Sequence, residues 1–183
     1  MKILIMNCSP VRNGATACVA EIAADILSPN HEVRSVCIDD YTIKLCRGCR
    51  SCHTTAQCAI TDDDVHRLME QYEWADAIIS VTPSYWADVP GQFKVFIDRC
   101  TPWCDTNASH ASLSEGKRGY TIALRTGPSM MECRKLIYTI EHFYGHLHIR
   151  SSGSLGLNEV ENRDAAQARA EQVKKSIKEW FDC

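Results

Sequence analysis

The sequence predicts an α/β domain in which helices cover both faces of a parallel sheet. Short, nearly continuous apolar runs, such as KILIMN at residues 2–7 and AIISV at residues 77–81, are typical of strands buried on both faces. Segments with apolar residues at helical spacing alternate with these runs along the chain. The 183 residues, of which 45% are hydrophobic, suffice to bury one core. A single domain over residues 1–183 is therefore expected.

The elements follow one another in a regular order. Strands are predicted at residues 2–7, 32–37, 77–81, 120–124 and 148–155. Helices are predicted at residues 16–27, around 93–100, over 133–144 and from about 161 onward. A further helix is predicted to begin after the aspartates at 62–64, which can cap it. Five strands in a domain of this size fit the flavodoxin-like sheet order 2-1-3-4-5 better than a dinucleotide fold built from two halves.

Charge and hydropathy exclude several classes of partner. Twenty basic and 23 acidic side chains give a net charge of −3 without a basic face, so no nucleic-acid partner is expected. The apolar runs are strand-sized, so no membrane-spanning helix is expected. The first strand begins at Lys2 without a signal-peptide pattern, which favours a cytoplasmic location. Because disulfides are rare there, the 11 cysteines are interpreted as core thiols, metal ligands or redox groups.

Three loops after predicted strands carry candidate binding residues. Ligands of open α/β sheets bind at the carboxyl ends of the strands. The loop NCSPVRNGAT, residues 7–16, places backbone N–H groups and a helix start around one point, which favours a phosphate; an ordinary capped turn is the alternative. The loop TPSYW, residues 82–86, offers two aromatic rings as a wall for a flat heterocycle; core packing is the alternative. The loop RTGPS, residues 125–129, can supply a cation and backbone N–H groups to the same heterocycle.

These loops together resemble the NADPH-dependent FMN reductase family of the flavodoxin-like superfamily. Its members carry GSPR.NGNT after the first strand and TP.YW...PGQ.K.FIDR after the third, and this chain has NCSPVRNGAT and TPSYWADVPGQFKVFIDR. The chain departs from the first motif at Cys8, which replaces a glycine, and at Ala15, which replaces an asparagine.

The resemblance implies a bound FMN, which would carry the chemistry, so no catalytic side chain is expected. The residues that the resemblance assigns to FMN are Ser9, Arg12, Asn13, Ala15 and Thr16 around the phosphate, Pro83, Ser84, Tyr85 and Trp86 along the ribityl chain and isoalloxazine, and Arg125, Thr126 and Gly127 near the pyrimidine end of the ring.

The segment CRGCRSCHTTAQC, residues 46–58, holds four cysteines at the spacing Cys46-x2-Cys49-x2-Cys52-x5-Cys58. Such short gaps let a tight loop wrap a cuboidal cluster, although the last gap differs from that of ferredoxins. The segment resembles the compact motif of the iron–sulfur flavoproteins, a branch of the same family in which four such cysteines hold one [4Fe–4S] cluster beside FMN. Zinc at the same thiolates and a loop without metal are the alternatives.

The sequence is therefore interpreted as an FMN-dependent oxidoreductase or electron-transfer flavoprotein. With a cluster, electrons are expected from a ferredoxin-like donor; without one, NAD(P)H is expected to reduce a small acceptor such as a flavin or quinone. The resemblance also implies a homodimer or homotetramer, with residues 101–119 as a candidate contact. A non-catalytic redox or metal sensor without a functional flavin is the alternative. His142, His146 and His148 are interpreted as a chance cluster.

Overall fold

A five-stranded parallel sheet forms the centre of the protein in the computed structural model, which describes residues 1–182. The strands lie in the order β2-β1-β3-β4-β5 and are β1 (Lys2–Asn7), β2 (Glu32–Cys37), β3 (Ala77–Pro83), β4 (Arg118–Leu124) and β5 (Arg150–Leu157). Every neighbouring pair is parallel. The predicted flavodoxin-like fold and its sheet order are confirmed.

The helices that join the strands are α1 (Ala15–Leu27), α2 (Cys52–Thr55), α3 (Val65–Trp74), α4 (Gly91–Arg99), α5 (Met131–His146), α6 (Arg163–Ala168) and α7 (Ala170–Phe181). They cover both faces of the sheet and create two cores. Leu4 and Met6 of β1 pack toward the face covered by α3, α4 and α5. Ile3 and Ile5 of the same strand pack toward α1 and α7. This alternation follows from the two-residue side-chain period of a strand.

Three predicted features differ in the structure. The strand predicted at 148–155 begins and ends two residues later, because His148 has a φ of 56° and closes α5 in a left-handed conformation instead of extending the sheet. The closing helix is two helices, α6 and α7, separated by Arg169, whose φ of −93° and ψ of 5° leave the helical region. Asp64 occupies the N-cap position of α3, but its side chain does not cap the helix; it accepts a hydrogen bond from the Thr42 N–H at 2.7 Å.

The longest helix, α5, has 16 residues. Within residues 1–182, no helix combines the length and the apolar character that crossing a membrane requires.

Candidate functional site

A cleft of about 190 Å³ opens at the carboxyl ends of β1, β3, β4 and β5. Eight of the twelve residues that the sequence assigns to FMN line it, namely Ser9, Ala15, Thr16, Pro83, Ser84, Tyr85, Arg125 and Thr126. The structure thus brings the loops after the first, third and fourth strands together at one place.

The loop after β1 leaves backbone donors free at the start of α1. Asn7 accepts the N–H of Ser9 at 3.1 Å, and the Ser9 hydroxyl accepts the N–H of Val11 at 3.1 Å, so the loop is held by its own side chains. No side chain caps α1, and the N–H groups of Ala15 and Thr16 have no acceptor within residues 1–182. Free N–H groups and the helix dipole suit a phosphate.

The two departures from the family motif leave this loop open. Cys8 is fully buried, and its thiol donates to the Met6 carbonyl at 3.6 Å, away from the cleft. Burial raises the pKa of the Cys8 thiol well above its usual value, so the side chain stays neutral. Ala15 presents only a methyl group to the cleft. Below the loop, the Cys37 thiol donates to the Ser9 carbonyl at 3.2 Å and supports it.

Arg12 and Asn13 lie outside the cleft. The Arg12 guanidinium pairs with Asp39 at 2.9 Å and with Asp40, both beyond the end of β2. The Asn13 side chain accepts a hydrogen bond from Arg163 at 3.0 Å. Both residues are therefore engaged with other elements, and the phosphate position rests on the backbone of the loop.

Arg125 brings a guanidinium to the opposite side of the cleft. Its guanidinium contacts Glu132 at 3.0 Å and donates to the Ser129 carbonyl at 3.2 Å. Its Nε is buried and has no hydrogen-bond partner within the described part of the chain. Gly127 does not line the cleft, but a Cβ there would lie 2.6 Å from the Arg125 side chain. Gly127 therefore makes room for the guanidinium.

Trp86 does not form the aromatic wall within this chain. Its side chain is completely exposed, because Trp86 and Ala87 both adopt left-handed conformations, with φ values of 53° and 59°. The turn is closed by the Tyr85 N–H, which donates to the Asp88 carbonyl at 2.8 Å. Tyr85 is thus the aromatic residue that lines the cleft. Left-handed conformations are uncommon for tryptophan and alanine, so the sequence did not predict this turn.

The loop after β5 also contributes to the cleft, through Val160 and Glu161. Sequence reasoning did not include them, although the predicted strand order places β5 next to β4. The carboxyl end of β5 must therefore lie beside the loop after β4, which contains Arg125. The predicted strand order could thus have identified both residues as neighbours of the site.

The cysteine segment forms a loop with a paired neck. Asp64 donates its N–H to the Thr42 carbonyl at 3.0 Å and accepts the Thr42 N–H. Next to this pair, the carboxylate of Asp63 accepts a hydrogen bond from the Lys44 N–H at 3.0 Å. The chain before Cys46 and the chain after Cys58 are therefore held side by side.

Arg99, at the end of α4, locks this neck. Its side chain is 1% exposed and pairs with Asp63, which is 0% exposed. The same guanidinium donates to the Lys44 carbonyl at 2.8 Å and to the Ile60 carbonyl at 3.0 Å. Burial lowers the pKa of Arg99, but Asp63 and the neighbouring Cys58 outweigh it and leave that pKa raised. Arg99 thus carries a fixed positive charge beside a predicted ligand.

The four thiols of the segment differ in their exposure. Cys46 and Cys49 are exposed, whereas Cys52 and Cys58 are half-buried. Burial, with smaller contributions from the other three cysteines, raises the pKa of Cys52. Gly48, with a φ of 64°, donates its N–H to the Cys46 sulfur at 3.5 Å.

Within residues 1–182, no three of the four sulfurs lie within 4.8 Å of one another, so the loop as folded does not present a closed tetrahedral zinc site.

The chain is similar in sequence to several iron–sulfur flavoproteins. The chain is 35% identical over 99 residues to an iron–sulfur flavoprotein of Archaeoglobus fulgidus. The aligned region covers 54% of this chain and 48% of that protein. It is 32% identical over 102 residues to an iron–sulfur flavoprotein of Clostridioides difficile, covering 54% of this chain and 45% of that one. The chain spans about half the length of these relatives.

Solved structures share the fold over nearly the whole chain. An NAD(P)H:quinone oxidoreductase from Methanothermobacter marburgensis has a TM-score of 0.73 at 15% identity, covering 97% of this chain and 95% of that one. An FMN-dependent NADH-azoreductase from Bacillus anthracis, solved with FMN, has a TM-score of 0.68 at 13% identity, covering 98% and 99%. At these identities the likeness concerns the fold.

The family model described as NADPH-dependent FMN reductase matches residues 1–157, which include the loops that line the cleft after β1, β3 and β4. Since this match covers most of the chain and the sheet has the order expected of such proteins, the chain belongs to the NADPH-dependent FMN reductase family.

Proposed function

We propose that the chain is an FMN-dependent oxidoreductase that passes electrons from NAD(P)H or a ferredoxin-like donor to a small acceptor such as a flavin or quinone. The observation that carries the proposal is a pair of unpaired backbone donors, the N–H groups of Ala15 and Thr16, at a cleft that Tyr85 and Arg125 also line. FMN, when bound, supplies the hydride and electron transfer.

Each side of the cleft suits one part of FMN. The start of α1 and the Ser9 loop would hold the phosphate, because their free N–H groups and the helix dipole favour a dianion. Tyr85 would lie against the isoalloxazine. Arg125 would lie at the pyrimidine edge, where its charge favours the reduced, anionic ring.

The binding proposal is tested by titrating the flavin-free protein with FMN and with riboflavin, and following flavin fluorescence. FMN should bind at least about 10-fold more tightly, because charge-assisted hydrogen bonds to the phosphate contribute roughly 1.5–3 kcal/mol. Arg125→Met should weaken both flavins, whereas Arg134→Met, on the exposed face of α5, should change neither. Equal affinities for FMN and riboflavin would contradict the phosphate position. A folded protein that binds neither flavin would favour the sensor alternative.

We also propose that Cys46, Cys49, Cys52 and Cys58 hold a [4Fe–4S] cluster. Their spacing in the sequence and the similarity of the chain to iron–sulfur flavoproteins support this. Iron and sulfide are measured after anaerobic reconstitution. Cys49→Ser should abolish iron binding while FMN binding persists, and Cys104→Ser, outside the segment, should retain the iron. Zinc in place of iron in protein purified without oxygen would contradict the cluster.

A homodimer or homotetramer remains part of the proposal. The completely exposed Trp86 ring beside the cleft is an apolar surface that a second copy of the chain can cover. Light scattering coupled to size exclusion measures the mass, and a monomer at all concentrations would contradict it.

A further inference from the structure

A group of metal-binding side chains lies outside the cleft and the cysteine segment, where the end of α5 meets the loop after α4. Cys104, His142 and His146 line one cavity there, together with apolar residues of both helices. Asp105 lies at its edge, with its carboxylate 2.9 Å from His146. Cysteine, histidine and aspartate are the side chains that bind zinc-like cations.

His142 and His146 are placed as a pair of ligands. They are four residues apart on α5 and therefore share one face of the helix. Their Nε2 atoms are 3.2 Å apart. Two nitrogen ligands of one tetrahedral zinc, each bound at about 2.0–2.1 Å, lie about 3.3–3.4 Å from each other. The observed separation is close to what one shared ion needs.

Asp105 holds His146 in the form that leaves Nε2 available. The Nδ1–H of His146 donates to the Asp105 carboxylate at 2.9 Å, so the lone pair is on Nε2, the atom that faces His142. Histidines that bind metals commonly donate their other N–H to a carboxylate in this way. The Asp105 N–H also donates to the His146 carbonyl at 3.1 Å, which fixes the loop to the end of the helix.

Cys104 brings a sulfur close to His146, although His142 lies outside the group that these two residues form with Asp105. Its Sγ, a carboxylate oxygen of Asp105 and a ring nitrogen of His146 all lie within 4.8 Å of one another. The residue is half-buried, so its thiol is accessible to a cation from solvent. Sequence reasoning treated the histidines as a chance cluster, because Cys104 and Asp105 are about 40 residues away in the chain.

We propose that His142 Nε2 and His146 Nε2 bind one zinc-class divalent cation, that Asp105 positions His146, and that Cys104 Sγ moves toward the pair as the third ligand, with the fourth coordination position open to solvent. Two imidazoles and a thiolate form a donor set that suits borderline-soft cations such as Zn²⁺ better than Mg²⁺ or Ca²⁺. The ion would join the loop after α4 to α5 and so stabilise that part of the molecule.

The test uses the full chain with Cys46, Cys49, Cys52 and Cys58 replaced by serine, which removes the other thiolate site. Metal-free protein is titrated with Co²⁺, followed by its ligand-field and thiolate charge-transfer bands, and then with competing Zn²⁺. One equivalent should bind. In this background His142→Gln should lower the affinity by more than about 100-fold, and Asp105→Asn by about 10- to 100-fold. Cys104→Ser should remove the charge-transfer band.

His148→Gln is the matched control, because that imidazole also lies near Asp105, at 3.8 Å, but is not one of the proposed ligands. It should change the affinity by less than about threefold. Circular dichroism checks that each variant is folded. If the four-serine protein does not fold, zinc content is compared in the unaltered chain, where His142→Gln should lose one equivalent. Absence of binding in the four-serine protein, or unchanged zinc content in His142→Gln, would show an ordinary hydrogen-bonded cluster and overturn the proposal.

Discussion

Replacing Arg99 with Met should destabilise the protein and open the neck of the cysteine loop. The substitution leaves the carboxylate of Asp63 buried without its partner and removes the donors to the Lys44 and Ile60 carbonyls. Breaking a buried ion pair by removing one partner costs about 3–5 kcal/mol. For a domain of this size, that corresponds to a fall in Tm of roughly 6–20 °C.

The loss is measured by urea unfolding, and its location by hydrogen exchange. Amides of residues 42–64 should exchange faster in Arg99→Met, while those of the central strands should change only with global stability. Adding Asp63→Leu to Arg99→Met should recover part of the loss, because the unpaired carboxylate is then removed. Reconstituted iron content should also fall, since the ends of the loop are no longer held together.

Lys94→Met is the matched control on the same helix. Lys94 pairs with Asp98, but the two side chains are 46% and 47% exposed. Such a pair contributes about 0.3–0.5 kcal/mol. If Arg99→Met and Lys94→Met cost the same, or if exchange in residues 42–64 is unchanged, the neck does not depend on Arg99 and the reasoning is wrong.

Other changes test the remaining contacts. Gly119→Ala should cost about 1–3 kcal/mol in urea unfolding, because its Cβ would lie 2.4 Å from the Tyr144 ring; an unchanged midpoint would contradict this packing. Burial raises the pKa of Asp63, but hydrogen bonds from Arg99 and from backbone N–H groups outweigh it and leave the pKa lowered. The stability from this pair should therefore be present above about pH 4 and be lost as the pH falls through the lower folded-state pKa, and Asp63→Asn should reduce that acid dependence. Trp86→Ala should change the free energy of unfolding by less than about 0.5 kcal/mol, since the ring is fully exposed, and a larger loss in the isolated chain would show that the ring packs in solution.

Much of the architecture was predictable because it depends on patterns within short segments. The strand at Lys2–Asn7 was placed at its observed bounds, since a buried strand is identified by a continuous apolar run. The strand at Glu32–Cys37, which is largely exposed, was also placed at its observed bounds. The loop at residues 82–86 and the Ser9 loop were assigned to one site because parallel strands end at the same edge of the sheet.

Side-chain directions were less predictable, because they depend on partners from distant segments. Arg12 turns toward Asp39 and Asp40, which lie 27 and 28 residues further along the chain, and so leaves the cleft. Trp86 faces solvent because of a left-handed turn that its residue type does not favour.

The sequence by itself determined three features of this protein: the order of the strands, the family and the spacing of the four cysteines. Each of them follows from the local periodicity of apolar residues or from a contiguous motif. Only the tertiary structure decided that Arg99 closes the cysteine loop and that Cys104 meets the histidines of α5. A buried charge is stable only when it is paired, and its partner can come from a distant part of the sequence. Which residue becomes the partner therefore depends on the packing of the whole chain.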